Sequence, residues 1–316
     1  MRRPHFLSAA LVALALAGCG SLGGGPTVTT VATVPAASPA APTLLPNAAD
    51  SLKFCVLGDF GTGSTAQYQL AARMAELHKT FPFELCATVG DNLYGGERPR
   101  DFQRKFEIPY KPLLDANVKF YASLGNHDAR EQRFYKLFNM DGKLYYTFKA
   151  PKQDVRFFAL ETTYPMPEQV MWLEEELKKS DEKWKIAYFH HPLYSSAGRH
   201  GSDLQLRQTL EPLFTKYNVN VVFTGHDHIY ERIKPQNGIA HFVTGSGGQL
   251  RGGDGRRPEP FSDRIVDSSQ VFLVAEISGN QMVFNAMNRT GQIVDSGTVV
   301  RQELSSAAAP PQGQRP

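Results

Sequence analysis

The chain has 316 residues, of which 41% are hydrophobic and 21% charged, with a formal net charge of +3. That apolar content is ample for a folded core, organised as one large domain or two small ones. The near balance of 34 basic and 31 acidic residues offers no general attraction to nucleic acid, so no nucleic acid is expected as a general partner and any preference for anions has to be local.

The first residues are not core. Arg2 and Arg3 make a basic start, and residues 6–17 are an almost unbroken apolar run, too short to span a bilayer and laid out like a secretory signal. The run ends in Leu16-Ala17-Gly18-Cys19, which resembles the lipobox of bacterial lipoproteins. Small residues at the cut let a peptidase close around the backbone, and the thiol accepts a diacylglycerol. The resemblance implies a signal peptide over 1–18, lipidation at Cys19, and an exported protein held to a bacterial membrane by an N-terminal lipid anchor. Gly20 after that cysteine, in place of Asp, is similar to outer-membrane sorting, with the protein facing the periplasm or the cell surface. Without Arg2 and Arg3 the net charge falls by two, to about +1. Residues 19–50, rich in Gly, Pro, Ala, Ser, Thr and Val, read as a flexible tether; 51–303 hold the folded domain, and 304–316 read as a disordered tail.

Within the domain, strand and helix signals alternate. Strands are expected at 53–57, 85–89, 119–124, 144–149, 155–162, 185–189 and 219–224, and helices at 65–79, 168–179 and 204–217. The helix at 168–179 shows its stripe in Val170, Leu173 and Leu177, with Glu and Lys outside. Residues 101–115 are mixed, broken by Pro109 and Pro112. Strands at 241–244, 271–278, 281–288 and 292–300 close the chain, with hairpin-like turns at Gly279-Asn280 and Thr290-Gly291. The order, βαβ units first and a β-rich end, predicts a sandwich of sheets flanked by helices, in the α/β or α+β class.

Cys55 and Cys86 lie in the first two strands, four and five residues before Asp59 and Asp91. If the strands are in register at those aspartates, the thiols point to opposite faces. Two buried free thiols are therefore expected over a disulfide.

Five short segments at strand ends carry chemistry: Gly58-Asp59-Phe60-Gly61, Gly90-Asp91-Asn92-Leu93-Tyr94, Gly125-Asn126-His127-Asp128, His190-His191-Pro192 and Gly225-His226-Asp227-His228. Each alone is an ordinary turn or cap. Together they present Asp, Asn and His at the carboxyl ends of strands, where open α/β sheets place ligands. Carboxylate and amide oxygens with imidazoles suit iron, zinc and manganese.

This set resembles the calcineurin-like metallophosphoesterases and, within them, the purple acid phosphatases. The wider superfamily has Asp-x-His at the first motif; here Gly61 takes the His position, and Tyr94, three residues after Asp91, fills the gap as it does in purple acid phosphatases. The resemblance implies a β-sandwich of two mixed sheets flanked by helices. It implies two metal ions: Asp59, Tyr94 and His228 on the first, expected to be Fe(III); Asp91 bridging; and Asn126, His190 and His226 on the second, which would be Fe(II), Zn(II) or Mn(II). A phenol titrates at about 10, so a trivalent ion beside Tyr94 makes physical sense. The activity implied is acid phosphatase-type hydrolysis of phosphate monoesters by metal-bound hydroxide, with a small phosphorylated molecule as substrate. A phosphodiesterase or nucleotide-cleaving enzyme on the same centre is the alternative. His127, next to ligand Asn126, is expected to bind substrate and assist the leaving group, with Asp128 orienting it. The pair His200-Gly201 resembles the mammalian-type enzymes and implies a place for His200 at the substrate entrance, with a catalytic role. His191 is expected to neighbour the ligands without joining them. Asp227 reads equally as an orienting residue or a turn residue. The loop 245–257, with Arg251, Arg256 and Arg257, reads as a mobile Gly/Arg loop or as one that reaches over the site to grip phosphate.

Overall fold

The computed structural model describes residues 45–164, 166–255 and 257–301. The signal segment, Cys19, most of the tether, the tail and Arg256 lie outside the described residues. Among the described residues no helix is long and apolar enough to cross a membrane.

Continuous apolar runs become central strands, buried on both faces. β1 (Leu52–Leu57) and β2 (Leu85–Val89) are buried at every residue. They pair in parallel with each other, and β2 pairs in parallel with β3 (Lys119–Ser123). A second parallel set is built from β5 (Val155–Ala159), β6 (Trp184–Tyr188), β7 (Val221–Thr224) and β9 (Ile239–Thr244), with β4 (Tyr146–Lys149), β8 (Tyr230–Gln236) and β10 (Ser262–Val266) joined antiparallel. The C-terminal meander β11 (Val271–Ser278), β12 (Gln281–Asn288) and β13 (Ile293–Val300) runs antiparallel and attaches to β1. The result is a six-stranded sheet ordered β13-β12-β11-β1-β2-β3 and a seven-stranded sheet ordered β10-β8-β9-β7-β6-β5-β4. This is the expected sandwich of two mixed sheets.

Aromatic contacts tie the sheets face to face: Phe54 of β1 meets Phe157 of β5 at 5.4 Å and Phe223 of β7 at 6.1 Å. Side-chain alternation sends Phe158, Ala187 and Val222 to the opposite face, into a cluster with Leu173 and Leu177 of α4 (Pro167–Lys179) and Leu206, Leu210 and Phe214 of α5 (Leu204–Lys216). α1 (Thr65–His78) starts at an N-cap, Ser64, whose hydroxyl accepts from the Gln67 amide; it buries Leu70, Ala71 and Met74. The mixed stretch resolves into α2 (Pro99–Phe102), a π-helical turn at Gln103–Glu107, and α3 (Lys111–Asp115).

β8 and β10 escape the sequence pattern for a reason. Glu231 of β8 is a fully buried polar side chain whose carboxyl oxygens accept from the Ser196 amide and hydroxyl, and β10 is a largely exposed edge strand. The cysteine geometry needs correction. Cys55 and Cys86 are direct register partners and share one face, both buried and free. The assumed alignment of Asp59 with Asp91 fails by one residue: the Asp59 amide donates to the Gly90 carbonyl at 3.0 Å, so Asp59 stands level with Gly90.

Candidate metal centre

The carboxyl ends of β1, β2, β3, β6 and β7 deliver all five motif segments to one place. Asp59, Asp91 and His226 each follow a glycine and each take the left-handed backbone region, with φ of 54°, 51° and 69°. Two of the glycines are required by space. A Cβ on Gly125 would run into the Asp91 carboxylate, and one on Gly225 into that of Asp59.

The donor atoms fall into two groups. In the first, the Tyr94 hydroxyl lies 3.1 Å from Asp59 Oδ1, 2.7 Å from Asp91 Oδ2 and 3.1 Å from His228 Nε2. In the second, Asn126 Oδ1 lies 2.9 Å from both His190 Nε2 and His226 Nδ1, which are 3.2 Å apart. Asp91 connects them, since its other oxygen, Oδ1, is 3.4 Å from His190 Nε2. Backbone amides hold the carboxylates: His226 N donates to Asp59 Oδ2 at 3.0 Å and His127 N to Asp91 Oδ1 at 2.9 Å. His190 Nδ1 donates to the Val89 carbonyl at 3.0 Å, which leaves Nε2 with its lone pair toward the centre.

Electrostatics shows what this cluster fits. Burial holds His190 well below the ordinary imidazole range; burial and the neighbouring His190 push His226 down to about 2, and burial with Arg251 pushes His228 down to about 4. These rings are neutral, with lone pairs. Burial and the charge of Asp91 raise Asp59, and burial with both carboxylates raises the Tyr94 phenol. Ring nitrogens, carboxylates and an amide oxygen thus crowd together, and among the described residues no lysine or arginine forms an ion pair with Asp59 or Asp91. A pair of metal ions reconciles that set, and the N/O donors match the borderline and hard metals expected.

The remaining expected residues fall as follows. His127 is exposed, its ring 4.8 Å from that of Tyr94. His200 is exposed, its ring 4.3 Å from that of His226. His191 sits closer than the sequence implies: one of its ring nitrogens falls within 4.8 Å of donor atoms of His190 and His226, while Nδ1 meets the Thr162 hydroxyl at 3.0 Å. Asp128 does not face His127. Both its oxygens are occupied by Asn92, Leu93, Gly125 and Gln132, so it ties the β2 loop to the β3 loop. Asn92 and Gln132, partners in that tie, carry no local signal in the sequence. Asp227 is buried in a tight turn, its amide donating to Gly225 O at 2.8 Å and its carbonyl accepting from Ile229 N at 2.7 Å. Burial raises its carboxyl to about 7.

A family profile described as calcineurin-like phosphoesterase matches residues 52–230. Purple acid phosphatase 3 of Arabidopsis thaliana is 28% identical over 264 residues, covering 72% of this chain and 72% of that protein. Human tartrate-resistant acid phosphatase type 5 is 26% identical over 298 residues, covering 79% and 91%. Among solved structures, GAP50, the anchor in the inner membrane complex of Plasmodium, superposes with a TM-score of 0.69 at 20% identity, over 80% of this chain and 90% of that one. That last likeness is one of fold.

Proposed function

The chain belongs to the calcineurin-like phosphoesterase family and is a metal-dependent phosphatase, and we propose that it acts on phosphate monoesters in the manner of the acid phosphatases. The observation that carries this reading is Asp91: one carboxylate oxygen faces the Asp59–Tyr94–His228 group and the other faces the Asn126–His190–His226 group. A carboxylate so divided is suited to bridge two ions.

In this reading Asp59, Tyr94 and His228 would hold an Fe(III), and Asn126, His190 and His226 would hold Fe(II), Zn(II) or Mn(II). When bound, the metal pair supplies a hydroxide nucleophile near neutral pH and neutralises charge on the phosphoryl group. The chain's own groups do the rest. Neutral, pre-oriented imidazoles need lose no proton before they bind. His127, exposed beside Tyr94, donates a proton to the leaving oxygen of the ester. His200, its ring tilted against that of His226, lines the approach for a small phosphorylated substrate. Asp128 acts through the loops it joins and is a positioning residue.

Elemental analysis, a visible spectrum and rates on matched aryl phosphate mono- and diesters test the proposal together. Two metals per chain, a phenolate-to-iron band and faster monoester turnover are expected. A faster diester rate would move the reading to a phosphodiesterase or nucleotide-cleaving enzyme, and a colourless iron-loaded protein would count against Tyr94. Export and lipid anchoring at Cys19 are proposed on the Leu16–Cys19 sequence alone. A Cys19→Ser chain that still partitions with membranes would remove them.

A further inference from the structure

We propose that Arg251 contacts the phosphoryl oxygens of the bound ester from the His228 side and favours the dianion of a monoester over the monoanion of a diester. The inference rests on the phosphatase reading and adds a residue that the metal-ligand motifs do not contain.

The segment after β9 is fastened to the backbone of two ligands from the same metal group. Gly247 N donates to Gly58 O at 2.9 Å, Gly248 N and Gln249 N donate to Asp59 O at 3.1 and 2.9 Å, and Arg251 N donates to His228 O at 3.0 Å. On its far side, Gly198 N donates to Asp254 O at 3.0 Å, so the loop that carries His200 is fastened to the loop that carries Arg251. Arg251 therefore stands on the rim between His228 and His200 by backbone bonding, and the loop is held in place where the sequence alone left it mobile or gripping.

Its side chain is short of partners. The side chain is 27% exposed, and the carboxylate oxygen paired with it, Asp254 Oδ2, is 3.7 Å from Nη1, beyond hydrogen-bond length. Both of those atoms are buried and make no hydrogen bond among the described residues. A fixed, planar cation with five donors, partly desolvated and loosely paired, matches phosphate oxygens in both charge and geometry. Arg251 could instead serve only as a loop staple to Asp254, and experiment separates the two roles.

Binding of inorganic phosphate to the metal-loaded protein is measured by calorimetry, with metal content and kinetics on the mono- and diester pair, for wild type, Arg251→Ala, Arg251→Lys and Asp254→Ala. Arg251→Ala should weaken phosphate binding and raise the monoester KM about tenfold to a hundredfold, the range of one charge-assisted hydrogen bond. The diester KM should move far less, Lys should recover part of the loss, Asp254→Ala should leave phosphate binding as tight as wild type, and all should keep two metals. Unchanged phosphate affinity in Arg251→Ala overturns the proposal, and so does an equal loss in Asp254→Ala, which would mark a structural staple. Phosphate binding is read without turnover, so an inactive wild-type protein would sink the enzymatic reading separately.

Discussion

Removing the Asp128 carboxylate should destabilise the fold before it touches the chemistry. Its Oδ2 accepts from Asn92 N at 3.0 Å, Asn92 Nδ2 at 3.2 Å and Gly125 N at 2.9 Å; Oδ1 accepts from Leu93 N at 3.0 Å and Gln132 Nε2 at 2.7 Å. Asp128→Ala strands three buried backbone N–H groups, each worth about 1–3 kcal/mol when left unpaired. Release of the carboxyl from its own burial, which with the Asp91 charge raises it to about 7, offsets part of that loss. A net loss of about 3 kcal/mol is expected, or about 1 M in urea midpoint at an m-value near 3 kcal/mol/M. Urea unfolding of metal-free and metal-loaded protein at pH 7.5 measures it, with kcat followed on the same samples. The metal-free protein should lose most of that stability too, because the tie between the loops needs no metal. Unchanged stability, with a large fall in kcat and a displaced limb in the pH–rate profile, would refute this reasoning. That outcome would restore Asp128 as the partner of His127.

Asp91→Asn should leave fewer than two metals per chain and lower turnover by roughly a thousandfold or more, because bridging and charge neutralisation fail together; two metals and wild-type rates would eliminate the bridge. His241 gives a pH test away from the metal ligands. It is 3% exposed, its Nε2 makes no hydrogen bond among the described residues, and burial plus the nearby Arg207 push it down to about 3. An unfolded histidine titrates near 6.5, so from there down to about pH 3 the unfolded chain takes up a proton that the folded chain refuses. Stability should therefore fall with pH below 6.5, by about 2 kcal/mol at pH 5 from this group. Denaturant unfolding of wild type and His241→Phe at pH 7.5 and pH 5 isolates it, and equal losses in the two proteins would dismiss the assignment.

What the sequence made legible follows from what is local. The central strands announce themselves as apolar runs, and the ligand turns as glycine followed by Asp, Asn or His at a strand end. Those two signals sufficed to anticipate a two-sheet sandwich and to nominate residues that the fold brings together. What stayed hidden is set by pairing between distant segments. A one-residue offset between β1 and β2 decides that Cys55 and Cys86 share a face. Nothing near Asp128 in sequence reveals that its oxygens serve amides at Asn92 and Leu93. Asp227 sits between two ligands, yet only the fold shows it buried in a turn. β8 was concealed because its buried Glu231 is satisfied by Ser196, on a loop 35 positions away.

The centre also explains why so much backbone bonding surrounds it. Asp59, Asp91 and His226 hold left-handed φ values that disfavour non-glycine residues by about 1–2 kcal/mol each. Asp59 and Asp91 are buried at 0% and 1% exposure, near enough that the charge of Asp91 raises Asp59. Without cations, the site opposes folding through both strain and repulsion. The opposing work is done away from it, by the β1–β11 and β1–β2 ladders, by rings packed between the sheets, and by Asp128 across the loops. Such a framework should keep the donors in place whether or not ions are bound, with the ordering of the site complete before metal arrives. Metal binding would then relieve repulsion instead of assembling the ligands. It should raise stability with free metal as RT ln(1 + [M]/Kd), while the backbone amide protection of the Asp59 and Asp91 loops stays nearly the same in both states. A metal-free protein whose β1 and β2 loops exchange amides as fast as an unfolded chain would show the opposite, that the ions build the site.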